Sequence, residues 1–255
     1  MEATCILSAV IITYNEERNI ARCLDSLDPV VDEIIVVDSF STDETKAICA
    51  NYAKVRFVSQ AWLGYAGSKN VGNRLANGRF ILSIDADEAL SNALQQELLW
   101  TKKQGFAKAA YQVKRLTNYC GYWIHHCGWY PDKKIRLFPK EQAFWQGEQV
   151  HETLNIAPSL PLKMLHGDLY HYSYYSVEQH LNTIDKYSSL GAQKLLDKGK
   201  KSSTLKAGVK AFARFFRMYI LQAGWMDGWA GWMVCKNSAY SVWLKYQKLK
   251  YLQQL

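Results

Sequence analysis

The sequence predicts an α/β protein built around an open, mostly parallel β-sheet. Continuous apolar runs at residues 6–12, 34–37 and 80–84 are typical of strands that are buried on both faces of such a sheet. Segments with helical periodicity alternate with these strands at short spacing, which favours helices that cross between parallel strands. Polar side chains follow each strand where it ends. Because ligands bind beyond the carboxyl ends of parallel strands, these side chains are expected to face one crevice.

The helices of this half carry start signals. Asn15 is the expected N-cap of the first helix, and Thr42 or Asp43 that of the second, since short polar side chains accept hydrogen bonds from free N–H groups. A short strand, "VRFVS", separates the second helix from a third one, which is expected over residues 66–76. The alternation therefore continues as far as the strand at 80–84.

The second half of the chain has a different character. Residues 105–175 are less regular and rich in aromatic side chains, and they are expected to form short strands and loops that cover the crevice. From residue 177 onward, apolar and basic residues recur at helical spacing. We therefore expect a helical, basic and aromatic-rich C-terminal segment.

The positive charge is concentrated at the end of the chain. Twelve Lys and Arg but only two Asp lie from Lys194 onward, so this segment has a net charge of +10, against −2 for the first 193 residues. Such a tail favours a polyanionic partner. Tryptophans among the lysines favour an anionic membrane surface over a nucleic acid, for which no recognition module occurs. A solvated helical face that closes the domain is the alternative.

The cysteine pattern favours a cytoplasmic protein with free thiols. The six cysteines show no disulfide-framework spacing, and no apolar leader precedes the first basic residue, Arg18. The most apolar long segment, 218–235, contains Gln222 and Asp227, so no membrane-spanning helix is expected. One group of possible zinc ligands matches no strong zinc spacing. It consists of Cys120, His125, His126 and Cys127.

Three carboxylates follow the apolar strand at 80–84, in the stretch "RFILSIDADEAL". Asp85 and Asp87 flank one small residue, so both side chains leave the same turn. Carboxylate oxygens suit Mg²⁺ or Mn²⁺, and such an ion would offset their repulsion and bridge to a diphosphate. The alternative is that these acids, with Glu88, favour the start of the helix that follows.

Four motifs of the first half resemble the nucleotide-sugar domain of family 2 glycosyltransferases: "VIITYNEERNIARCLDSL", "DEIIVVDSFSTDET", "GSKN" and "SIDADE". Three later motifs resemble the subgroup that builds lipopolysaccharide or lipooligosaccharide core, with β-1,4-glucosyltransferases acting on inner-core heptose as the nearest type: "GYWIHHCGWYPDKKIRLFPK", "VHE" and "HYSYYS". The resemblance implies a GT-A fold, a UDP-sugar donor and an inverting, metal-dependent transfer. The expected domains are a GT-A domain at 1–190, with halves 1–104 and 105–190, and a tail at 191–255.

The resemblance also implies roles for residues of the donor site. Asp38 resembles the carboxylate that reads the uracil ring, and Thr13, Tyr14 and Asn15 resemble the first-strand loop beside the nucleoside. Lys69 lies at a basic position of the family that is expected to face the nucleotide.

The same resemblance implies the metal and catalytic groups. Asp85 resembles the acid near ribose and metal, Asp87 the direct metal ligand, and His171 the late histidine that completes the metal shell. His171 as part of a packed aromatic patch is the alternative. Glu152 lies where the family places its base, and Glu148 is the rival.

The acceptor site is expected in the covering segment. Sugars stack on aromatic rings, and charged groups fix hydroxyls or phosphates, so aromatic and charged residues close together favour such a site. They are Trp129, Tyr130, Asp132 and Arg136. A packed loop without this function is the alternative.

Together these observations predict a cytoplasmic enzyme at the inner face of the cytoplasmic membrane. It would move a hexose, expected to be glucose, from a UDP-sugar to a lipid-linked glycan, expected to be inner-core lipopolysaccharide. Two alternatives remain open. A nucleotidyltransferase on a similar sheet would release pyrophosphate, and a basic membrane-binding or RNA-binding module would need neither Asp85 nor Asp87.

Overall fold

A computed structural model describes residues 6–147 and 152–254. The chain forms two compact units. The first comprises Met1–Arg115 and Asp132–His171, and the second comprises Leu116–Pro131 and Tyr172–Leu255. The domain boundary expected at residue 190 falls inside a continuous helix, Val177–Asp197, so the compact units divide the chain at other residues.

The parallel part of the sheet agrees with the prediction. It consists of β1 (Leu7–Thr13), β2 (Glu33–Asp38), β3 (Val55–Ser59) and β4 (Phe80–Asp85). Strand β1 lies between β2 and β4, and β3 pairs with the far side of β2, all in parallel. Thr13 is opposite Asp38 and Ile12 is opposite Asp85, so the carboxyl ends of β1, β2 and β4 meet at one edge.

The stretch from 105 to 175 contains strands, as expected, but its longer strands extend the main sheet, which the sequence did not predict. Strand β5 (Glu88–Leu90) precedes this stretch. Within it lie β6 (Ala110–Tyr119), β7 (Tyr122–Ile124), β8 (Asp132–Pro139), β9 (Ala143–Gln146), β10 (Thr153–Ile156) and β11 (Leu162–Tyr174). In the described residues the main sheet has the order β3-β2-β1-β4-β8-β6-β11-β5, with β7 beside β6. The aromatic and charged side chains in these strands hide their alternation in the sequence.

The helices of the first unit are α1 (Ile20–Leu27), α2 (Thr45–Cys49), α3 (Gly64–Leu75) and α4 (Asn92–Gln104). Asn15 is not an N-cap, since it has a positive φ of 54° and Asn19 precedes α1. Helix α4 is capped by Ser91, whose hydroxyl accepts from the Leu94 N–H at 3.2 Å. Of the acids before it, Asp85 ends β4, Glu88 begins β5 and Asp87 lies in the turn between these strands, so none belongs to the helix start.

Helices cover both faces of the parallel strands. Helix α1 packs Ile20, Leu24 and Leu27 into a core cluster on one face, and α3 packs Val71 into a cluster with Val10 on the other. Strands that are buried on both sides need apolar residues at consecutive positions, which explains the unbroken apolar runs.

The second unit contains three long helices, α5 (Val177–Asp197), α6 (Thr204–Phe216) and α7 (Gly228–Leu252). Between α6 and α7 the chain makes a π-helical turn at Arg217–Leu221 and a 3₁₀ turn at Gly224–Asp227, with Ala223 left-handed at φ 51°. The apolar segment 218–235 is therefore not one helix. Across the described residues, no helix has the length and apolar content that a bilayer crossing requires.

Gly72 of α3 packs directly against the sheet, next to Val10 and Val37. A Cβ at this position would overlap the Val10 side chain and lie 3.3 Å from Val37 Cγ2. We expect Gly72→Ala to lower the free energy of unfolding by about 1–3 kcal/mol through overpacking. Gly208→Ala in α6 is the matched control, since nothing lies within 4 Å of its added Cβ. It should gain up to about 1 kcal/mol from helix propensity. Urea unfolding followed by circular dichroism measures the free energy of unfolding of both variants. A higher value for Gly72→Ala than for the wild type would contradict this packing.

Candidate functional site

A cavity of about 620 Å³ opens at the carboxyl ends of β1 and β4 in the first unit. This is the edge of the sheet where the sequence predicted a ligand crevice. Of the predicted donor-site residues, Thr13, Tyr14, Asp85, Asp87 and His171 line this cavity. The other lining residues are Ile12, Glu16, Ser39, Trp62, Tyr65 and Ala86.

Asp38 and Asn15 hold the loops beside this cavity and are not among its lining residues. The Asp38 carboxylate is buried and accepts hydrogen bonds from the Thr13 hydroxyl at 2.9 Å and the Ser41 N–H at 2.8 Å. Asn15 Oδ1 accepts from the Thr42 N–H at 2.9 Å. These contacts tie the loop after β1 to the loop after β2. Contact of Asp38 or Asn15 with a nucleoside stays a prediction.

The acidic turn after β4 contains a guanidinium between two of its carboxylates. Arg136 Nη2 lies 2.6 Å from Asp85 Oδ2 and 2.5 Å from Glu88 Oε1. Glu88 also lies 3.3 Å from Arg115 Nη1, and its Oε2 accepts from the Asp85 N–H at 3.1 Å. The Glu88 side chain is 0% exposed, so the two arginines supply the compensation that a buried carboxylate needs.

Asp85 has a second cation on its other side. Lys69 Nζ lies 3.0 Å from Asp85 Oδ1 and is buried. Burial alone would raise the pKa of Asp85, but Arg136 and Lys69 outweigh it and hold this pKa well below the ordinary value of 3.8. Burial alone would lower the pKa of Arg136, yet Asp85 and Glu88 raise it. Asp85 is therefore ionised at neutral pH, and the stability from its ion pairs is lost only as the pH falls below its ordinary pKa.

Asp87 and His171 form the part of the cavity wall that fits a divalent ion. His171 Nε2 lies 3.2 Å from Asp87 Oδ2, because β5 pairs with β11 and sets Glu88 opposite His171. In the part of the chain that the structure describes, no three His, Cys, Asp or Glu side chains are grouped to hold a metal. The predicted set of Asp85, Asp87 and His171 does not form, since Lys69 and Arg136 engage the Asp85 carboxylate. Two protein ligands still suit Mg²⁺ or Mn²⁺, which take further ligands from water and substrate phosphates.

Glu152, the predicted base, lines a second cavity of the first unit, with a volume of about 520 Å³. Its Oε1 lies 3.5 Å from Lys69 Nζ, and Lys69 lies over the Trp145 ring, 4.5 Å from the centroid. Asp85 lines both cavities. Lys69 lines the second cavity and is not among the lining residues of the first, and its contact with the nucleotide stays a prediction. The rival base Glu148 lies outside the described residues.

The four predicted acceptor residues divide between the two units. In the first unit Arg136 lines the second cavity but is buried by its ion pairs, and Asp132 lies 2.7 Å from Arg115 Nη2. Arg136 Nη2 is thus the counter-charge of both Asp85 and Glu88, and contact of Arg136 or Asp132 with an acceptor stays a prediction. In the second unit Trp129 packs edge-on against Tyr119, and Tyr130 packs against His125. Their contact with a sugar stays a prediction.

The residues considered as zinc ligands have other partners in the second unit. His126 Nδ1 lies 2.7 Å from Asp227 Oδ1, and the Cys127 and Cys235 Sγ atoms lie 3.5 Å apart in a buried cluster. None of the described residues supplies the third ligand that a zinc site would need.

Sequence reasoning missed the pairing of Arg115 and Arg136 with Glu88. A signal was present, since "KIRLF" places an arginine inside an apolar strand and a buried arginine needs a counter-ion. It also missed Trp62 and Tyr65, which line the donor cavity and stack edge-on with centroids 4.9 Å apart. They lie before and within α3, and nothing in their spacing marks them as cavity residues.

A sequence profile described as Glycosyl transferase family 2 matches residues 8–157, more than half of the chain. The chain belongs to glycosyl transferase family 2. This membership agrees with the α/β GT-A-like fold, in which the family's mostly parallel sheet is flanked by helices and followed by C-terminal helices.

Family 2 relatives match along nearly the whole chain. An uncharacterized glycosyltransferase of Rickettsia typhi is 32% identical over 255 residues, which cover 96% of this chain and 87% of that protein. The lipopolysaccharide core biosynthesis glycosyltransferase LpsC of Rhizobium meliloti is 28% identical over 254 residues, which cover 95% of this chain and 91% of LpsC.

Two solved structures are similar to this chain at a lower level. Staphylococcus aureus TarS has a TM-score of 0.46 at 16% identity and covers 98% of this chain and 92% of the TarS chain. Glucosyl-3-phosphoglycerate synthase of Mycobacterium tuberculosis, solved with Mn²⁺ and UDP, has a TM-score of 0.36 at 26% identity. The similar region covers 45% of this chain and 44% of the synthase chain.

Arg136 can be tested as the counter-charge of the acidic turn. Arg136→Met leaves Glu88 buried without its nearest cation, so we expect the free energy of unfolding to fall by about 3–5 kcal/mol. Lys134→Met, on the same strand, removes an exposed pair with Asp132 and should cost less than about 1 kcal/mol. Urea unfolding compares the variants.

A rescue variant separates the charge effect from the loss of packing. Arg136→Met with Glu88→Gln removes the unpaired buried charge and should recover part of the lost stability. Equal unfolding free energies for Arg136→Met and Lys134→Met would show that Arg136 does not have this role.

Proposed function

We propose that this family 2 glycosyltransferase is an inverting, metal-dependent enzyme that transfers a hexose, expected to be glucose, from a UDP-sugar to a lipid-linked glycan. Inner-core lipopolysaccharide is the expected acceptor, and the inner face of the cytoplasmic membrane the expected place of reaction. One observation carries the proposal. The strand-end cavity with Asp87 and His171 and the second cavity with Glu152 share the side chain of Asp85.

The first cavity suits the donor. Its volume is within the usual range for small-molecule sites, and Tyr14, Trp62 and Tyr65 offer aromatic surface for a nucleoside. Asp87 and His171 would hold Mg²⁺ or Mn²⁺, which stabilises the departing diphosphate when bound. Because Asp85 is held by Lys69 and Arg136, it keeps a fixed negative charge at the junction of the two cavities.

The second cavity suits the acceptor. In an inverting transfer the acceptor oxygen bonds to the anomeric carbon as the bond from that carbon to the diphosphate oxygen breaks. The acceptor hydroxyl gives its proton to a carboxylate on its own side of the sugar. Glu152 is the described carboxylate of the second cavity that is not engaged by an arginine, which supports it as the group that accepts this proton.

The finer statements draw support from relatives. LpsC, by its name, acts in lipopolysaccharide core biosynthesis, and the synthase from Mycobacterium tuberculosis was solved with UDP and Mn²⁺. The late motifs "GYWIHHCGWYPDKKIRLFPK" and "HYSYYS" resemble the core-building subgroup. Family membership favours a glycosyl transfer over nucleotidyl transfer and over a non-enzymatic module.

The proposed donor and metal can be tested with a panel of UDP-sugars, an extract of lipid-linked acceptors and Mn²⁺. We expect UDP release, without pyrophosphate, to be greatest with UDP-glucose and to be abolished by EDTA. Asp87→Asn should lower activity and Mn²⁺-dependent UDP affinity at least about tenfold, because the ion loses its protein ligand. Asp25→Asn is the control, since Asp25 is an exposed carboxylate of α1 that contacts Tyr52. Calorimetry that gives equal UDP affinity with EDTA would contradict the metal site.

The proposed base can be tested apart from donor binding. Glu152→Gln keeps the size of the side chain but cannot accept the proton, so transfer should fall about 10²-fold or more while UDP-sugar affinity is retained. Glu148→Gln is the matched comparison from the same segment. If Glu148→Gln shows this loss and Glu152→Gln does not, the base is Glu148.

A further inference from the structure

Helix α6 in the second unit exposes a stripe of large apolar side chains. Leu205 is 79% exposed, Val209 60%, Phe212 70% and Phe216 45%. Their spacing of four, three and four residues places them on one face of the helix. This stripe is not the face that packs, since Ala207 and Met218 are the buried residues of α6 and the turn after it.

A basic stripe lies beside the apolar one on the same helix. Lys206, Lys210, Arg214 and Arg217 are exposed and spaced by four, four and three residues. At about 100° per residue, Lys206, Lys210 and Arg217 are each turned from the preceding apolar residue by roughly one quarter of the helix circumference. Arg214 lies farther round the helix, toward the side of Ala207. None of the four has an acidic partner among the described residues; Lys206 Nζ donates to the Lys201 carbonyl, and Lys210 Nζ lies 5.6 Å from the centroid of the Tyr246 ring. Helix α6 thus has one buried face, one exposed apolar face and one exposed basic face.

The turns after α6 and the start of α7 also expose large apolar side chains. The π-helical turn and the 3₁₀ turn interrupt the helix, and large apolar side chains at and beyond the interruption face solvent. They are Ile220, Leu221, Trp225, Met226 and Trp229, each between 48% and 70% exposed. Together with the α6 stripe they form the surface that we call the apolar face.

The basic stripe beside the apolar face fits the interface of a lipid bilayer. Large contiguous apolar patches are rare on soluble monomers and mark interaction sites. An amphipathic helix with Lys and Arg on one flank and Leu, Phe and Trp on the other lies at a bilayer interface with its apolar side in the acyl boundary. The basic stripe supplies attraction to anionic headgroups, which is strongest at low ionic strength.

We propose that the apolar face of α6 and the turns after it inserts into the interface of an anionic phospholipid bilayer, with the basic stripe contacting the headgroup phosphates. This deepens the proposed function, because it names the surface by which the enzyme reaches a lipid-linked acceptor. The binding itself needs neither donor nor acceptor.

The test is sedimentation of the full chain with vesicles of phosphatidylglycerol and phosphatidylcholine, compared with phosphatidylcholine alone. Phe212→Ser with Leu221→Ser should lower partitioning at least about tenfold at every salt concentration, since it removes buried apolar area. Lys210→Gln with Arg214→Gln should lower it mainly at low salt, where charge attraction is strongest. Trp100→Ser is the control, because Trp100 is a 65% exposed aromatic residue of α4 in the first unit.

Each outcome decides the proposal. Retention on anionic vesicles that the two double variants weaken, with Trp100→Ser like the wild type, supports it. No retention at low salt, or equal retention of all variants, rejects it. A dimer in light scattering that Phe212→Ser with Leu221→Ser dissolves, without vesicle binding, would identify the face as a self-association interface instead. UDP affinity, measured without vesicles, should be unchanged in these variants, so a failure of the donor site would be recognised separately.

Discussion

The ion pairs of Arg136 with Asp85 and Glu88 are the constraint on which the site of the first unit depends. A turn that carries three acids after a buried strand would repel itself, and the guanidinium between two of them removes that repulsion without a metal ion. Because Glu88 is fully buried and starts β5, the same pairs hold the strand that pairs with β11. This pairing is what brings His171 next to Asp87.

The arrangement separates two tasks among carboxylates that look alike in sequence. Asp85 and Glu88 are committed to cations of the protein, whereas Asp87 lines the first cavity beside a histidine. Lys69 extends the network from Asp85 to Glu152, so one buried ammonium connects the two cavities. In the proposed function, donor and acceptor sides would therefore share electrostatics. A change at Lys69 should affect both, while a change at Asp87 should affect the donor side first.

In the second unit, the large apolar side chains of α6 lie outside the core and are exposed to solvent. The interior is closed by Tyr119, Met218, Val234 and their neighbours, so the exposed side chains of α6 are not needed to complete that core. An apolar stripe left in water is unfavourable, and a partner that covers it would gain the hydrophobic free energy that the fold leaves unused. The turns between α6 and α7 prevent the apolar segment from forming one long helix and present its side chains at the surface instead.

The sequence by itself determined the parallel half of the fold. Strands buried on both faces require unbroken apolar runs, and such runs are visible without a structure at β1, β2 and β4. The sequence also placed Asp87 and His171 in one candidate site through family motifs. Only the tertiary structure decided that 105–175 extends the sheet, because strand pairing is a long-range property that aromatic and charged side chains obscure. It alone decided which carboxylates pair with Arg136. The sequence signals that an arginine in an apolar strand needs a counter-ion, but not that Glu88, 48 residues away, supplies it.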